Sequence, residues 1–225
     1  MKSFRPPRVK VCCIGSVGEA HEAIAAGADA IGLVSAMPSG PGVISEELIR
    51  AIAATVPQPV ATFLLTSLRR VADIVAQHLR CGTTAIQLCD RLDEGTHADL
   101  GAALPGIAIV QVIHVNGHEA VDEAINVAPR VDALLLDSGN QNLATKELGG
   151  TGRTHDWRVS AEIRRRVPVP VFLAGGLRAD NVADAIAQVG PWGVDVCSGV
   201  RSGDRLDPAK LRAFLASCGP PPRSG

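Results

Sequence analysis

The chain has 225 residues, 46% hydrophobic and 20% charged, with 3% aromatics and no Tyr. Its net charge is −1 and its only cationic run is Arg164-Arg165-Arg166, so a nucleic-acid partner is not expected, since such a surface needs clustered Lys and Arg. No stretch approaches the ~18 consecutive apolar residues of a membrane span, and the N-terminal Met1–Pro7 carries charge without the apolar segment of a signal peptide; a cytoplasmic protein is expected.

In chain order, short apolar runs rich in Ala, Val, Ile and Leu predict strands at Val9–Ile14, Ala30–Val34, Val60–Leu65, Ala85–Leu88, Ala108–His114, Ala133–Leu136, Val169–Leu173 and Val194–Cys197. Between them amphipathic patterns predict helices at Gly18–Ala26, Ser45–Ala54, Leu68–Leu79, His118–Val127, Trp157–Arg166, Ala179–Val189 and Pro208–Leu215. The segment Leu92–Leu104 contains Gly95 and Gly101 and runs into Pro105, so only a short helix fits. The arginine run falls at a predicted helix end, where it complements the helix dipole.

Strands that alternate with helices imply βαβ units and a parallel sheet. Eight units in this length predict a single α/β domain of the (β/α)8 barrel class over residues 1–217. Residues 218–225, with three prolines and two glycines, are expected to be a flexible tail. The competing doubly wound sheet would open with a glycine-rich dinucleotide turn, and Cys13-Ile14-Gly15-Ser16-Val17-Gly18 lacks that pattern.

Barrel chemistry gathers at the C-terminal strand ends. In the first strand, alternation sets Lys10 and Cys12 on the inner face and Val9, Val11 and Cys13 on the outer one. A cation beside a thiol favours the thiolate, which can serve as a general base. A plain core cysteine reads equally well from these residues alone. Asp137 closes the sixth strand with inward parity. Burying a carboxylate is costly, so an acid or a substrate ligand is favoured over a loop cap. Gly149-Gly150-Thr151-Gly152 follows, and Gly150 and Gly152 permit close approach to a ligand and a mobile lid, or form an ordinary loop. Asp156 is a candidate helix N-cap.

Gly175 and Gly176 end the seventh strand, and Asp195-Val196-Cys197-Ser198-Gly199 end the eighth. Small residues after strands 7 and 8 are where barrels hold phosphate. Asp195 shares parity with Cys197. The six cysteines, at 12, 13, 81, 89, 197 and 218, include no C-x-x-C, so reduced thiols and no zinc are expected.

As a set these segments resemble the phosphoribosylanthranilate isomerase family. The resemblance runs from Val9 to Leu215 through Lys10-Val11-Cys12, Ala26–Gly32, Gln87-Leu88, Leu135–Ser138, Gly149–Trp157, Ala174–Leu177 with Asn181, and Val194–Val200. It implies a (β/α)8 barrel that carries out an Amadori rearrangement of a small phosphosugar substrate, N-(5'-phosphoribosyl)anthranilate, as a monomer or homodimer. It implies Cys12 as general base, Asp137 as general acid, and no metal or organic cofactor. Lys10, Gly150, Gly152, Gly175, Gly176, Asp195, Cys197, Ser198 and Gly199 would form the substrate and phosphate site. An acid that donates its proton requires a raised pKa at Asp137.

Four departures from the family pattern stand out. Cys13 takes the place of a glycine. Gly42 takes the place of an arginine that contacts the substrate carboxylate in the family. Cys89-Asp90 replaces His-Gly, and Arg201 replaces a glutamate. Arg201 is then a candidate for the missing carboxylate contact. A paralogue acting on a different phosphoribosyl amine and a non-catalytic phosphate-ligand binder are the alternatives. A metal-dependent ribulose-phosphate epimerase fits less well, because the histidines show no cluster.

Overall fold

Period-two alternation with apolar residues on both faces requires a sheet covered on both sides, and the computed structural model meets that requirement by closing the sheet on itself. It describes residues 8–139, 145–150 and 152–219. Eight parallel strands form a closed barrel: β1 (Arg8–Val11), β2 (Ala30–Val34), β3 (Ala61–Thr66), β4 (Ala85–Leu88), β5 (Ala108–His114), β6 (Ala133–Asp137), β7 (Val171–Leu173) and β8 (Gly193–Val196). Closure is made by β1 against β8, with Val9 level with Val194 and Val11 level with Val196. The helices are α1 (Val17–Ala26), α2 (Glu46–Ala53), α3 (Val71–Cys81), α4 (His97–Ala103), α5 (Glu119–Val127), α6 (Trp157–Arg166), α7 (Val182–Val189) and α8 (Pro208–Ser217).

Two apolar layers follow from the alternation. Val9, Val11, Ile31, Leu33, Val194 and Val196 pack outward against the helices. Cys12, Ala30, Phe63, Ala85, Val112 and Leu135 fill the interior. Helix ends are set locally. Ser16 accepts from the Glu19 amide to start α1, and Gly27 stops it with φ 109, a backbone conformation that favours glycine. Thr96 and Asp99 form a reciprocal capping box on α4, which lets a helix form in the segment weakened by Gly95 and Gly101. Asp156 caps α6 as its residue type suggested, and the three arginines fill the last turn of that helix.

The structure changes some boundaries. β1 ends at Val11, short of Ile14, because Cys13 has φ 62. That left-handed residue breaks the alternation, so Cys13 joins the interior layer and not the outer one expected for it. α3 begins at Val71 and α7 at Val182, each three residues later than the apolar pattern suggested. Cys218 is buried in the outer layer; the expected tail beyond Gly219 lies outside the described residues. Among the described residues no helix is long and apolar enough to cross a membrane.

Candidate active site

The top of the barrel holds a cavity that is open to solvent. β1 delivers Cys12, β6 delivers Asp137, and β8 delivers Asp195 to it. Gly150, Gly152, Gly175, Gly176, Cys197 and Ser198 also line it. The loop Gly149–Gly152, read as a lid, includes Thr151, which lies outside the described residues.

Lys10 sits one layer below Cys12 and is fully buried. Its Nζ donates to Asp195 Oδ2 at 2.8 Å, while Oδ1 of Asp195 has no hydrogen-bond partner. Burial opposes the Lys10 ammonium, yet facing Asp195 outweighs it and holds the ammonium above its ordinary pKa. Lys10 therefore stays charged beneath the cavity and does not line it. Gly32 of β2 leaves the space that this pair of side chains needs. A Cβ there would come within 2.8 Å of Cys12 Sγ and 3.1 Å of Lys10 Nζ.

Cys12 is pushed below the ordinary thiol pKa. The largest cause is the hydrogen bond from the Cys13 thiol; burial opposes it, and the Lys10 charge assists. Asp137 is pushed above the ordinary carboxylate value, chiefly because burial withdraws water from its charged form. The Ser138 amide donates to Oδ1 at 2.7 Å and moderates the effect. Gly149, with φ 144, lets the backbone pass over the carboxyl, since a Cβ there would lie 2.8 Å from Oδ2.

Behind the phosphate candidates, Gly175 and Gly176 both have positive φ. His155 packs against that turn: its Nδ1 would lie 3.1 Å from a Cβ at position 175. Its Nε2 sits 2.6 Å from Ser160 Oγ, and burial lowers its pKa to about 4, so the ring is neutral at ordinary pH. Ser198–Val200 form a short 3-10 turn. Gly199 is not in the cavity lining; it backs onto the Leu177 carbonyl, where a side chain would collide.

Arg201 does not supply the carboxylate contact suggested for it. Its guanidinium donates to Glu19 at 3.0 Å, to the Cys13 carbonyl at 3.0 Å and to the Asp204 carbonyl. These bonds spend its charge on tying the segment after β8 to α1. Asp90 is likewise committed, to Lys146 and to Arg69. The cavity wall includes Met37, Pro41, Leu148 and Cys13, none of which the residue patterns singled out as site residues. The departure at Cys13 was the one available signal.

A closed parallel barrel whose cavity opens at the C-terminal ends of its strands belongs to the class of (β/α)8 enzymes. The comparisons narrow that class. The family model for N-(5'phosphoribosyl)anthranilate (PRA) isomerase matches residues 9–217. The N-(5'-phosphoribosyl)anthranilate isomerase of Halobacterium salinarum is 38% identical over 212 residues, covering 93% of this chain and 94% of the relative. That of Methanocella arvoryzae is 34% identical over 209 residues, covering 92% and 96%. Among solved structures, phosphoribosyl anthranilate isomerase from Thermotoga maritima superposes with a TM-score of 0.78 at 28% identity, covering 94% of this chain and 98% of its own. TrpF from Jonesia denitrificans gives 0.71 at 32% identity, covering 94% and 96%. The chain belongs to the N-(5'-phosphoribosyl)anthranilate isomerase family.

Proposed function

We propose that this protein rearranges N-(5'-phosphoribosyl)anthranilate to 1-(o-carboxyphenylamino)-1-deoxyribulose 5-phosphate in tryptophan biosynthesis. Asp137 is the general acid and Cys12 the general base. Asp137 gives its proton to the furanose ring oxygen; the ring opens and the C1'–N bond becomes an iminium. The Cys12 thiolate then takes the C2' proton, and the resulting enolamine tautomerises to the aminoketone. No step calls for a metal or organic cofactor. The phosphate end of the substrate sits against Gly175-Gly176, Ser198, Gly150 and Gly152, whose small size lets backbone N–H groups reach an anion. Lys10 and Asp195 act from below by fixing the electrostatics around Cys12.

One observation carries this reading: a thiol whose proton is loosened and a carboxyl whose proton is held line one cavity. That division of acid and base is what the reaction needs. A related solved structure, 26% identical with a TM-score of 0.76, is a phosphoribosyl anthranilate isomerase in complex with the reduced product compound. Another related structure is of monomers generated from the dimeric phosphoribosylanthranilate isomerase of Thermotoga maritima, and a monomer or homodimer in the cytoplasm is proposed here. The test is loss of the substrate's fluorescence on adding pure protein, abolished in Cys12→Ser and in Asp137→Asn. Undiminished turnover in both variants removes the assignment.

A second reading is favoured by the aglycone end. Among the described residues no cationic side chain lines the cavity, and position 42 is glycine. On this reading the same acid–base pair rearranges a different phosphoribosyl amine. Rescue of a tryptophan auxotroph lacking the isomerase decides between the two: growth supports the anthranilate substrate, and its absence supports the other.

A further inference from the structure

We propose that Cys13 and Cys197 are a reversible oxidation site: a hydroperoxide converts their two thiols to an intrachain disulfide at the mouth of the barrel, and the bond switches off Cys12. The Cys197 thiol donates to the Cys13 sulfur at 2.6 Å, so both sulfurs already share one place. They sit on neighbouring strand ends. Val11 pairs with Val196, and the Cys12 amide donates to the Val196 carbonyl at 2.8 Å. That register puts Cys12 level with Cys197 and Cys13 one residue beyond it, on adjoining segments.

The surroundings are shaped for this pair. The left-handed backbone at Cys13 turns its side chain from the outer layer to the cavity. Gly42 leaves room for it, because a Cβ at 42 would lie 2.5 Å from Cys13 Cβ and 3.1 Å from its sulfur. The departures at positions 13 and 42 are therefore one coupled change. A thiol has replaced hydrogen on one side, and a side chain has been removed on the other. Both sulfurs face the open cavity, which admits a molecule as small as a peroxide. Although Cys12, Cys13 and Cys197 are neighbours, no group of three or more His, Cys, Asp or Glu among the described residues is placed to hold a metal ion, so the chemistry left to the pair is that of sulfur itself.

The Cys197 sulfur, the most exposed of the three, attacks hydrogen peroxide. The O–O bond breaks, leaving a sulfenic acid and one water. The Cys13 sulfur then attacks the sulfenic sulfur; the S–S bond forms, the S–O bond breaks, and a second water leaves with the Cys13 proton. Two electrons pass from the two sulfurs to the peroxide. A dithiol reverses the bond by exchange. The linked sulfurs stand in the lining of the cavity that also holds Cys12, so the bond alters the place where substrate meets the base. The effect on turnover rests on Cys12 being the base; formation of the bond does not.

The experiment treats the pure protein with graded hydrogen peroxide. Unreduced peptide mapping and the fluorescence rate are followed in parallel, and dithiothreitol is then added. The expected result is a Cys13–Cys197 linked peptide, two hydrogens lighter, whose yield tracks the lost rate. Turnover of the linked form falls by about tenfold or more, part of the usual worth of a positioned base, and dithiothreitol restores it. Cys13→Gly and Cys197→Ser, each compared with its own untreated rate, keep that rate at the dose that silences the parent. Inactivation with over-oxidised Cys12 and no Cys13–Cys197 link overturns the site. A full yield of the link with an unchanged rate overturns the control. Should the anthranilate substrate prove wrong, the peptide map still decides the bond.

Discussion

The ends of β1 and β6 place one titratable group each in the same cavity, and their surroundings push those groups in opposite directions. Cys12 has an S–H donor beside it and an ammonium below, so its anion is favoured over the pull of burial. Asp137 is cut off from water, and the Ser138 amide together with His114 and Lys10 does not offset that, so its pKa is raised. Burial acts on both. What differs is how far hydrogen-bond donors and positive charge offset it. The β1 side is thus an assembled electrostatic site, whereas the β6 side is mainly a desolvated one.

The largest test of this contrast is catalytic. Cys12→Ser and Asp137→Asn are each expected to lower kcat by about 10²–10⁴-fold, the usual worth of a positioned acid or base, read from the fluorescence rate. The next is the support under β1. Lys10→Met leaves the Asp195 carboxylate buried without its partner and is expected to cost about 3–5 kcal/mol of stability, measured from the denaturant midpoint. A midpoint that hardly moves would mean that the β1 side does not depend on its ion pair.

A smaller effect probes the coupled positions. Gly42→Arg forces a Cβ against Cys13 and is expected to destabilise by about 1–3 kcal/mol. Adding Cys13→Gly recovers part of that loss in a thermal melt; equal losses in the two backgrounds would show that the positions are independent. The smallest effect concerns pH. A raised folded-state pKa means that folding binds the Asp137 proton more tightly. Its stabilising contribution is complete below the ordinary carboxylate value near 3.8 and is lost as pH rises through the raised value. Asp137→Asn should therefore melt higher than the parent at neutral pH, and the gain should vanish toward pH 4. A gain that persists unchanged in acid would place its cause elsewhere.

Much of this was legible in the residues. Apolar alternation set the inward faces of Lys10, Cys12, Ala133, Leu135 and Asp137, because a strand has a side-chain period of two. Eight strand–helix repeats in one chain length led to the closed barrel. Cys13 escaped the same rule, since one left-handed residue ends the alternation and no period reports it. Lys10 and Gly199 were grouped with the substrate-binding residues by position alone. Their environments turned out to be an ion pair in one case and the Leu177 carbonyl in the other.

The sequence by itself determined the order of elements, the layer to which most strand residues belong, and the membership in a family that the later comparisons bear out, because these depend on local periodicity and on short motifs. Only the tertiary structure decided where charge and protons reside. It gave Arg201 to Glu19 and Lys10 to Asp195, brought Cys13 against Cys197 from the far end of the chain, and matched Gly42 to the Cys13 side chain. Such pairings arise when β1 meets β8 and the barrel closes, and proton affinity follows from neighbours within a few ångströms, which chain order does not specify.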